Sequence, residues 1–153
     1  MNIEYRKADI NDVEELTRLR IMFLFEAGGE NDDEFTYTVN KEFFTDGIMS
    51  GEFISWIALD NGKIIATSGI SFYRLPPNKF SPTGLRSYIS NMYTLPEYRN
   101  NGIATKLFAM TVDEAKQRGC KRVLLNATDM GRPIYEKYGF KNANNEMYYL
   151  IEQ

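Results

Sequence analysis

The spacing of apolar residues predicts two helices near the start of the chain, after a short first strand at Ile3 to Lys7. Residues 10–25 are expected to form an amphipathic helix, because apolar side chains recur there at helical spacing: Val13, Leu16, Leu19 and Phe23. Asp9 precedes this helix as an N-cap, with Asp12 in a box-like position. A second helix is predicted at Val39 to Met49.

Three consecutive strands are predicted in the middle of the chain. Phe53 to Leu59 is the first of them, and Ile64 to Tyr73 returns beside it, because Asn61-Gly62 is a strong signal for a two-residue hairpin turn. Arg86 to Thr94 is the third strand. It ends before Pro96, because proline has no N–H to donate to a strand ladder.

The last third of the chain is predicted to hold a long helix and three short elements. The helix runs from about Gly102 to Arg118, with one face formed by Ala104, Leu107, Phe108, Thr111 and Ala115, and with Lys106, Asp113, Glu114 and Lys116 pointing away. A strand at Arg122 to Asn126, a helix at Ile134 to Tyr138 and a strand at Met147 to Ile151 follow. The predicted order is β-α-α-β-β-β-α-β-α-β: a single α/β domain over residues 1–153, with a mixed, mostly antiparallel sheet flanked by helices.

Composition narrows the class of protein. A net charge of −3 on 153 residues argues against non-specific nucleic-acid binding. The chain has no histidine and one cysteine, Cys120, which excludes Ser-His and Cys-His nucleophiles, His-ligated zinc and intramolecular disulfides. The first ten residues hold no signal-peptide core, and the apolar run from Ile21 to Phe25 is too short to span a membrane. We therefore expect a cytoplasmic protein without metal, membrane or nucleic-acid partners.

Residues 96–104 (PEYRNNGIA) have the chemistry of a phosphate-binding loop. The first N–H groups of a helix lack intrahelical partners, and the helix dipole adds roughly half a positive charge there. Gly102 and the small Ala104 would let a diphosphate reach those groups, Arg99 adds a cation, and Thr105 offers a hydroxyl. On these residues alone, an exposed surface turn explains the pattern equally well.

Two segments carry a resemblance to a known family. Asn91 to Ala104 (NMYTLPEYRNNGIA) resembles the central strand and pyrophosphate loop of the GNAT superfamily of acyl-CoA N-acyltransferases. Ile134 to Phe140 (IYEKYGF) resembles the late helix of that family, with a tyrosine four residues before a glycine. The order of elements also fits over nearly the whole chain. The resemblance implies a GNAT-like fold, acetyl-CoA as co-substrate, and direct transfer of the acetyl group to a primary amine.

The resemblance also implies roles for single residues. The pantetheine and acetyl group would lie along Met92, Tyr93 and Thr94. The pyrophosphate would be held by the loop and first helical turn: Arg99, Asn100, Asn101, Gly102, Ile103, Ala104 and Thr105. Many relatives have a coenzyme-contacting Asn at the position that Thr128 occupies here, and Asn126 can replace it. Tyr135 is expected to be the general acid to the leaving sulfur; the alternative is that its ring only packs.

The general base cannot be assigned from the sequence. An amine with a pKa near 10.4 is neutral in only about one of 2500 molecules at pH 7, so it must lose a proton before or during attack. The central strand has Asn91 where many relatives have a carboxylate. Glu26, a glutamate of the acidic segment, or a water relayed by Ser90, Asn91 or Tyr93 are the candidates.

In the family, the first two helices and a later loop wall the acceptor site, which here means residues 23–50 and 74–86. We predict contacts with the acceptor amine, a small molecule or a peptide-like compound, from Glu26, Phe43, Tyr73 and Asn91. An acidic segment could attract a cationic amine or simply be solvated: Glu26, Glu30, Asp32, Asp33 and Glu34. The aromatic residues near the site could line a pocket or belong to the core: Phe43, Phe44, Phe72 and Tyr73.

Two other functions remain open at this point. The chain could be a coenzyme-A-binding module without turnover, acting as a sensor or partner domain. It could also use a different acyl donor, such as succinyl-CoA, if Arg86 or Arg132 lies near the acyl end. A monomer and a homodimer are both compatible with the sequence, since the predicted strand at Met147 to Ile151 would offer an edge to a partner.

Overall fold

A computed structural model describes residues 1–29 and 33–151, and within them it contains five strands and four helices. The strands are β1 (Ile3–Lys7), β2 (Phe53–Asp60), β3 (Lys63–Arg74), β4 (Leu85–Thr94) and β5 (Val123–Leu125). The helices are α1 (Val13–Glu26), α2 (Glu34–Ser50), α3 (Ile103–Gln117) and α4 (Arg132–Tyr138). A short 3₁₀ turn at Ile10–Asp12 leads into α1 and carries the predicted capping box of Asp9 and Asp12.

The strands form one sheet in the order β1-β2-β3-β4-β5. The first four strands pair antiparallel with their neighbours, whereas β4 and β5 run parallel. The predicted mixed, mostly antiparallel sheet is therefore confirmed. The tight β2–β3 connection places Asn61 and Gly62 at positive φ, as the predicted hairpin turn requires.

Most predicted bounds agree with the structure to within about two residues, and the two larger differences lie in α2 and at the C-terminal end of the described chain. Helix α2 begins at Glu34 rather than Val39, because the Asp33 side chain accepts a hydrogen bond of 2.6 Å from the Thr36 N–H and caps the earlier start. The predicted last strand at Met147 to Ile151 is wrong: these residues form no strand, and all five are exposed. A strand needs a paired edge, and the neighbouring β5 is only three residues long.

The helices cover both faces of the sheet. Phe53 on β2 packs against Phe43 and Phe44 of α2, with ring centroids 5.2 and 5.4 Å away. Ser68 on β3 accepts a hydrogen bond of 2.7 Å from Thr111 of α3. Ser68 pairs with Trp56, which lies three residues from Phe53 and therefore on the opposite face. Helix α2, with α1 beside it, and helix α3 thus sandwich the sheet.

Glu114 on α3 lies on the buried side of its helix, which corrects the prediction that it points away. It is only 6% exposed, and its carboxylate forms an ion pair with the Lys7 amine of β1. The same amine lies 5.5 Å from the centre of the Trp56 ring. A buried carboxylate is tolerated here because a cation reaches it from the edge strand of the sheet.

Removing Lys7 should destabilise the fold through Glu114. We expect Lys7→Met to lower the free energy of unfolding by about 1–3 kcal/mol, since it leaves a buried carboxylate without its partner. The cost should shrink when Glu114→Gln is also present, because the neutral amide needs no cation. Urea unfolding of the four proteins of this double-mutant cycle measures the coupling. An equal cost of Lys7→Met in both backgrounds would contradict it.

The matched control is Lys41→Met, which removes the lysine of the pair with Glu14. That glutamate side chain is 78% exposed, so water replaces the lost cation. We expect this substitution to change the free energy of unfolding by no more than about 1 kcal/mol.

Candidate functional site

Strand β4 contains a bulge at the centre of the sheet. Ser90 pairs with Gly69 and Tyr93 pairs with Thr67, so Asn91 and Met92 together oppose one residue of β3. Asn91 adopts a left-handed conformation with φ of 56°, which asparagine tolerates better than most residues. The bulge interrupts the alternation of side chains between the two faces of the sheet. Asn91 lies next to α1 and α2.

Beyond the bulge, β4 continues without β5. The parallel pairing covers only Ser87 to Ile89 on β4, although β4 itself extends to Thr94. Strand β5 ends at Leu125, and the pairing ends with it. Within the described residues, Met92 to Thr94 therefore have no strand partner on this side, and an extended ligand can pair with this stretch of backbone.

The loop after β4 presents an open helix N-terminus. Gly102 is the N-cap of α3 with φ of 75°, and no side chain caps this end of the helix. Asn100 also has a positive φ, of 64°. A Cβ placed on Gly102 would meet no atom within 4 Å, so the space in front of the helix is free. Glycine is required here for its conformation, and it also leaves the N–H groups of the first turn accessible.

Glu26, Tyr93 and Arg99 form one hydrogen-bonded cluster next to this loop. The Tyr93 hydroxyl donates to one Glu26 oxygen at 2.6 Å, and the Arg99 guanidinium donates to the other at 2.7 Å. Arg99 also donates to the Thr94 carbonyl at 2.9 Å. The cluster joins the end of α1 to β4 and to the phosphate-loop candidate. The Arg99 guanidinium, which the sequence predicts to attract a phosphate, is therefore already paired with a carboxylate.

The cluster shifts the ionisation of its members. The hydrogen bond from Tyr93 and the nearby Arg99 guanidinium lower the pKa of the Glu26 carboxyl, although burial acts in the opposite direction. Burial and the Glu26 carboxylate raise the pKa of Tyr93 to about 12. Glu26 is thus a weak base with both oxygens occupied, and Tyr93 keeps its proton at neutral pH.

Tyr135 is buried on α4, at 7% exposure. Its ring packs 5.0 Å from the Phe108 ring, in the same apolar cluster that Met92 of β4 contacts. Burial raises the pKa of the Tyr135 phenol above its usual value of 10.0. Gly131 lies directly against the hydroxyl, because a Cβ on that residue would fall 2.7 Å from the phenol oxygen. A neutral, buried phenol held in this way can donate a proton.

The two candidates on the segment after β5 differ in their surroundings. The Thr128 hydroxyl accepts a hydrogen bond of 3.2 Å from the Gly131 N–H, and its carbonyl accepts one of 2.9 Å from Arg132. Thr128 therefore shapes the turn into α4. Asn126 directly follows β5 and is exposed. A coenzyme contact by either side chain stays a prediction.

A cavity of about 280 Å³ lies between α1, α2 and the bulge. It is lined by Arg20, Val39, Asn40, Phe43, Phe44, Ser90 and Asn91. Two of the predicted acceptor residues, Phe43 and Asn91, are therefore together. The other two lie elsewhere: Glu26 belongs to the cluster described above, and Tyr73 is partly exposed near the end of β3.

A second cavity of about 350 Å³ shares Phe43 with the first and continues toward Asp46, Ser50 and Glu52. The predicted acidic segment does not line either of these cavities as far as it is described. Asp33 caps α2 and Glu34 begins it, while Glu30 and Asp32 lie outside the described residues.

Sequence reasoning missed Arg20 and Gly131. Arg20 follows Val13 by seven residues and Leu16 by four, so a cation stands on the apolar face of the predicted helix. That placement was a readable signal. Gly131 precedes Tyr135 by four residues, one helical turn, but a glycine before a proline-containing helix start carries no signal of its own.

In residues 1–29 and 33–151, no three His, Cys, Asp or Glu side chains lie close enough together to hold a metal ion. None of the described helices has the length and apolar character needed to cross a bilayer.

Comparison with known proteins gives a consistent picture. A model of the Acetyltransferase (GNAT) family matches residues 16–140. A predicted acetyltransferase from Clostridium acetobutylicum, whose structure was determined with acetyl-CoA, is 36% identical and superposes with a TM-score of 0.91, over 97% of this chain and 96% of that one.

Two curated relatives match over shorter stretches. N-alpha-acetyltransferase 30 of Schizosaccharomyces pombe is 34% identical over 89 residues, 56% of each chain. Thialysine N-epsilon-acetyltransferase of Mus musculus is 30% identical over 63 residues, 41% of this chain and 37% of that protein. The chain thus spans about half or less of the length of these two curated relatives.

The five-stranded mixed sheet with helices on both faces is shared with the Clostridium acetobutylicum acetyltransferase. The chain belongs to the Acetyltransferase (GNAT) family. The predicted fold and enzyme class are confirmed at the level of the family.

The Glu26 cluster predicts a pH-dependent contribution to stability. Because the folded-state pKa of Glu26 lies below its usual value of 4.5, the cluster stabilises the fold fully above that pH and loses its effect as the pH falls through the lower folded-state pKa. We expect Glu26→Gln to cost about 0.5–1 kcal/mol at pH 7, a modest value because the carboxylate is partly exposed. The difference from wild type should narrow in acid.

Denaturant unfolding at a series of pH values from neutral to acid measures this difference. Glu14→Gln is the control on the same helix, since that carboxylate is 78% exposed and pairs only with Lys41 among the described residues. A cost of Glu26→Gln that stays constant into acid would show that ionisation of Glu26 does not stabilise the cluster.

Proposed function

We propose that the protein transfers an acetyl group from acetyl-CoA to a primary amine, by direct attack within a ternary complex. The observation that carries this proposal is the uncapped N-terminus of α3, with Gly102 at positive φ, which follows a bulged strand that extends past the end of its neighbour β5. The Clostridium acetobutylicum relative, whose structure was determined with acetyl-CoA, supports the choice of coenzyme. A cytoplasmic monomer or homodimer, with one domain over residues 1–153, is part of the same proposal.

The coenzyme would occupy two adjoining features. Its pyrophosphate would accept hydrogen bonds from the N–H groups at the start of α3, with Asn100 to Thr105 around it and with the helix dipole as an additional attraction. Its pantetheine arm would lie along Met92 to Thr94, beyond the end of the pairing with β5. The thioester would then lie between the bulge and the cluster that contains Tyr135.

The reaction needs one bond formed and one broken. The neutral amine attacks the thioester carbon, and a strand N–H near the bulge stabilises the oxyanion of the tetrahedral intermediate. The C–S bond then breaks, and Tyr135 donates its proton to the departing sulfur. The raised pKa of Tyr135 keeps that proton in place at neutral pH.

The proton of the amine has to leave by a different route. Glu26 is occupied by Tyr93 and Arg99, and the cavity beside the bulge is lined by no carboxylate among the described residues. Water bound by Ser90 and Asn91 therefore carries this proton away in our proposal. Desolvation of the ammonium in the cavity helps, because burial disfavours its charged form.

Calorimetric titration with acetyl-CoA tests the coenzyme site. We expect the wild-type protein to bind, and Gly102→Trp to lose at least about tenfold in affinity, because the indole would fill the space in front of α3. Gly62→Trp is the matched control: Gly62 also has positive φ, of 78°, and open space at its Cβ position, but it lies in the β2–β3 turn. Its affinity should equal that of wild type. Absence of binding by the wild type would overturn the proposal.

Tyr135→Phe tests the general acid. CoA thiolate is already a fair leaving group, so the loss in kcat should be near the lower end of the general-acid range, about 10²-fold. Tyr138→Phe is the control on the same helix, because its hydroxyl only accepts a hydrogen bond of 3.1 Å from Lys116. Unchanged kcat for Tyr135→Phe from about pH 6 to 9, with the chemical step rate-limiting, would assign the phenol to packing.

A further inference from the structure

The cavity beside the bulge contains a cation, Arg20, that has no partner in the part of the chain that the structure describes. Arg20 projects from the inward face of α1, is half-buried, and stands 5.4 Å from the centre of the Phe23 ring. Its guanidinium makes no hydrogen bond or ion pair with any residue the structure describes, unlike Arg18, which pairs with Glu15 at 2.6 Å two residues earlier. Burial lowers the pKa of Arg20, as expected when no carboxylate compensates it. A half-buried cation without a counter-charge is costly to the fold.

Asn91 is the second unsatisfied group in the same cavity. The residue is 4% exposed, and neither the oxygen nor the nitrogen of its amide has a hydrogen-bond partner among the described residues. It also adopts a left-handed φ of 56°. Leaving both amide atoms buried and unpaired costs free energy, which a ligand with one donor and one acceptor would recover.

The remaining lining sets the charge and size of the ligand. Apolar side chains from α2, Val39, Phe43 and Phe44, form one wall, and no carboxylate is among the described residues of the lining. Two carboxylates, Asp46 and Glu52, line the second cavity, which adjoins this one at Phe43. A volume of about 280 Å³ suits a small metabolite rather than a drug-sized compound.

We propose that the acceptor is a small primary amine that carries a carboxylate, such as a free amino acid, with the carboxylate bound by Arg20 and the amine positioned by Asn91. The guanidinium fork matches a carboxylate in geometry, and one cation matches one negative charge better than the two of a phosphate. This inference rests on the proposed function, since it specifies the substrate of the same site. The sequence left open whether the acidic segment attracts a cationic amine; this inference instead gives the acceptor an anionic group.

The first arm of the experiment compares matched substrates. Release of CoA thiol from acetyl-CoA is followed with a panel of free amino acids, each paired with its carboxamide, together with polyamines and O-phosphoethanolamine. We expect kcat/KM to favour the acid over its amide by at least about tenfold for the best pair. Amine ionisation cannot produce this preference, because a neighbouring carboxylate stabilises the ammonium and leaves less neutral amine.

The second arm changes Arg20. Arg20→Gln should lower kcat/KM for the best acid by about 10- to 100-fold, the loss expected when a desolvated charge pair loses one partner, and should leave its amide within about threefold. Arg20→Lys should keep the preference for the acid. Arg18→Gln, the matched change on the exposed side of the same helix, should leave both substrates unchanged.

The outcomes separate this inference from the proposed function. Turnover of amides, polyamines or O-phosphoethanolamine in preference to amino acids would overturn the carboxylate assignment, while the acetyltransferase activity would stand. Loss of acetyl-CoA affinity in Arg20→Gln, measured by calorimetry, would make Arg20 a coenzyme contact and would overturn it too. If no amine of the panel leads to release of thiol although acetyl-CoA binds, both the carboxylate assignment and the proposed acetyltransferase activity are refuted.

Discussion

One extra residue in β4 controls the geometry of the whole site. A regular strand would continue its pairing with β3 past Ser68, and its side chains would keep their alternation. The bulge at Asn91 and Met92 breaks this alternation, so that Asn91 joins the cavity under α1 and α2 while Met92 packs on the other side with the cluster of Tyr135. The acceptor and the general acid are thereby placed on opposite sides of one short stretch of backbone.

The early end of the β4–β5 pairing also shapes the site. Parallel pairing stops at Ile89, so the backbone groups that would have formed the next ladder bonds become available to a ligand. The ligand in our proposal is the coenzyme arm, which would take the place of a missing strand segment. The open end of α3 follows this segment in the chain, so in our proposal one continuous run of residues, Met92 to Thr105, would contact the coenzyme from its acyl end to its pyrophosphate.

Local patterns predicted most of the fold. The bounds of β1, the β2–β3 turn and the start of α3 follow from short-range signals such as Asn61-Gly62 and the position of Gly102. The C-terminal strand was wrong because strand formation depends on a partner edge, and the sequence does not state how long that edge is. Glu114 was misplaced because its partner, Lys7, is over a hundred residues away in the chain.

The site was predicted in the same uneven way. The coenzyme side rests on contiguous residues and was readable as a motif. The proposed acceptor side is assembled from α1, α2 and β4, which are distant in the sequence. The contact of Glu26 with Arg99 likewise spans 73 positions, so no local sequence pattern predicts it. Arg20 could have been found, because a charge on the apolar face of α1 is unusual, but which residues surround it depends on the packing of α2 and β4.

The proposed acceptor and coenzyme sites are built from different elements, which affects how substrate specificity could change in such a protein. In our proposal, the side chains that line the acceptor site come largely from α1 and α2, whereas the coenzyme-binding run belongs to β4 and α3. Substitutions in the first two helices would then change the acceptor without loss of the acyl donor. Glu26 is an exception to this separation, because it lies on α1 but accepts hydrogen bonds from Tyr93 of β4 and from Arg99. A chimera that exchanges the helices would need its crossover placed so that this glutamate stays with its tyrosine and arginine.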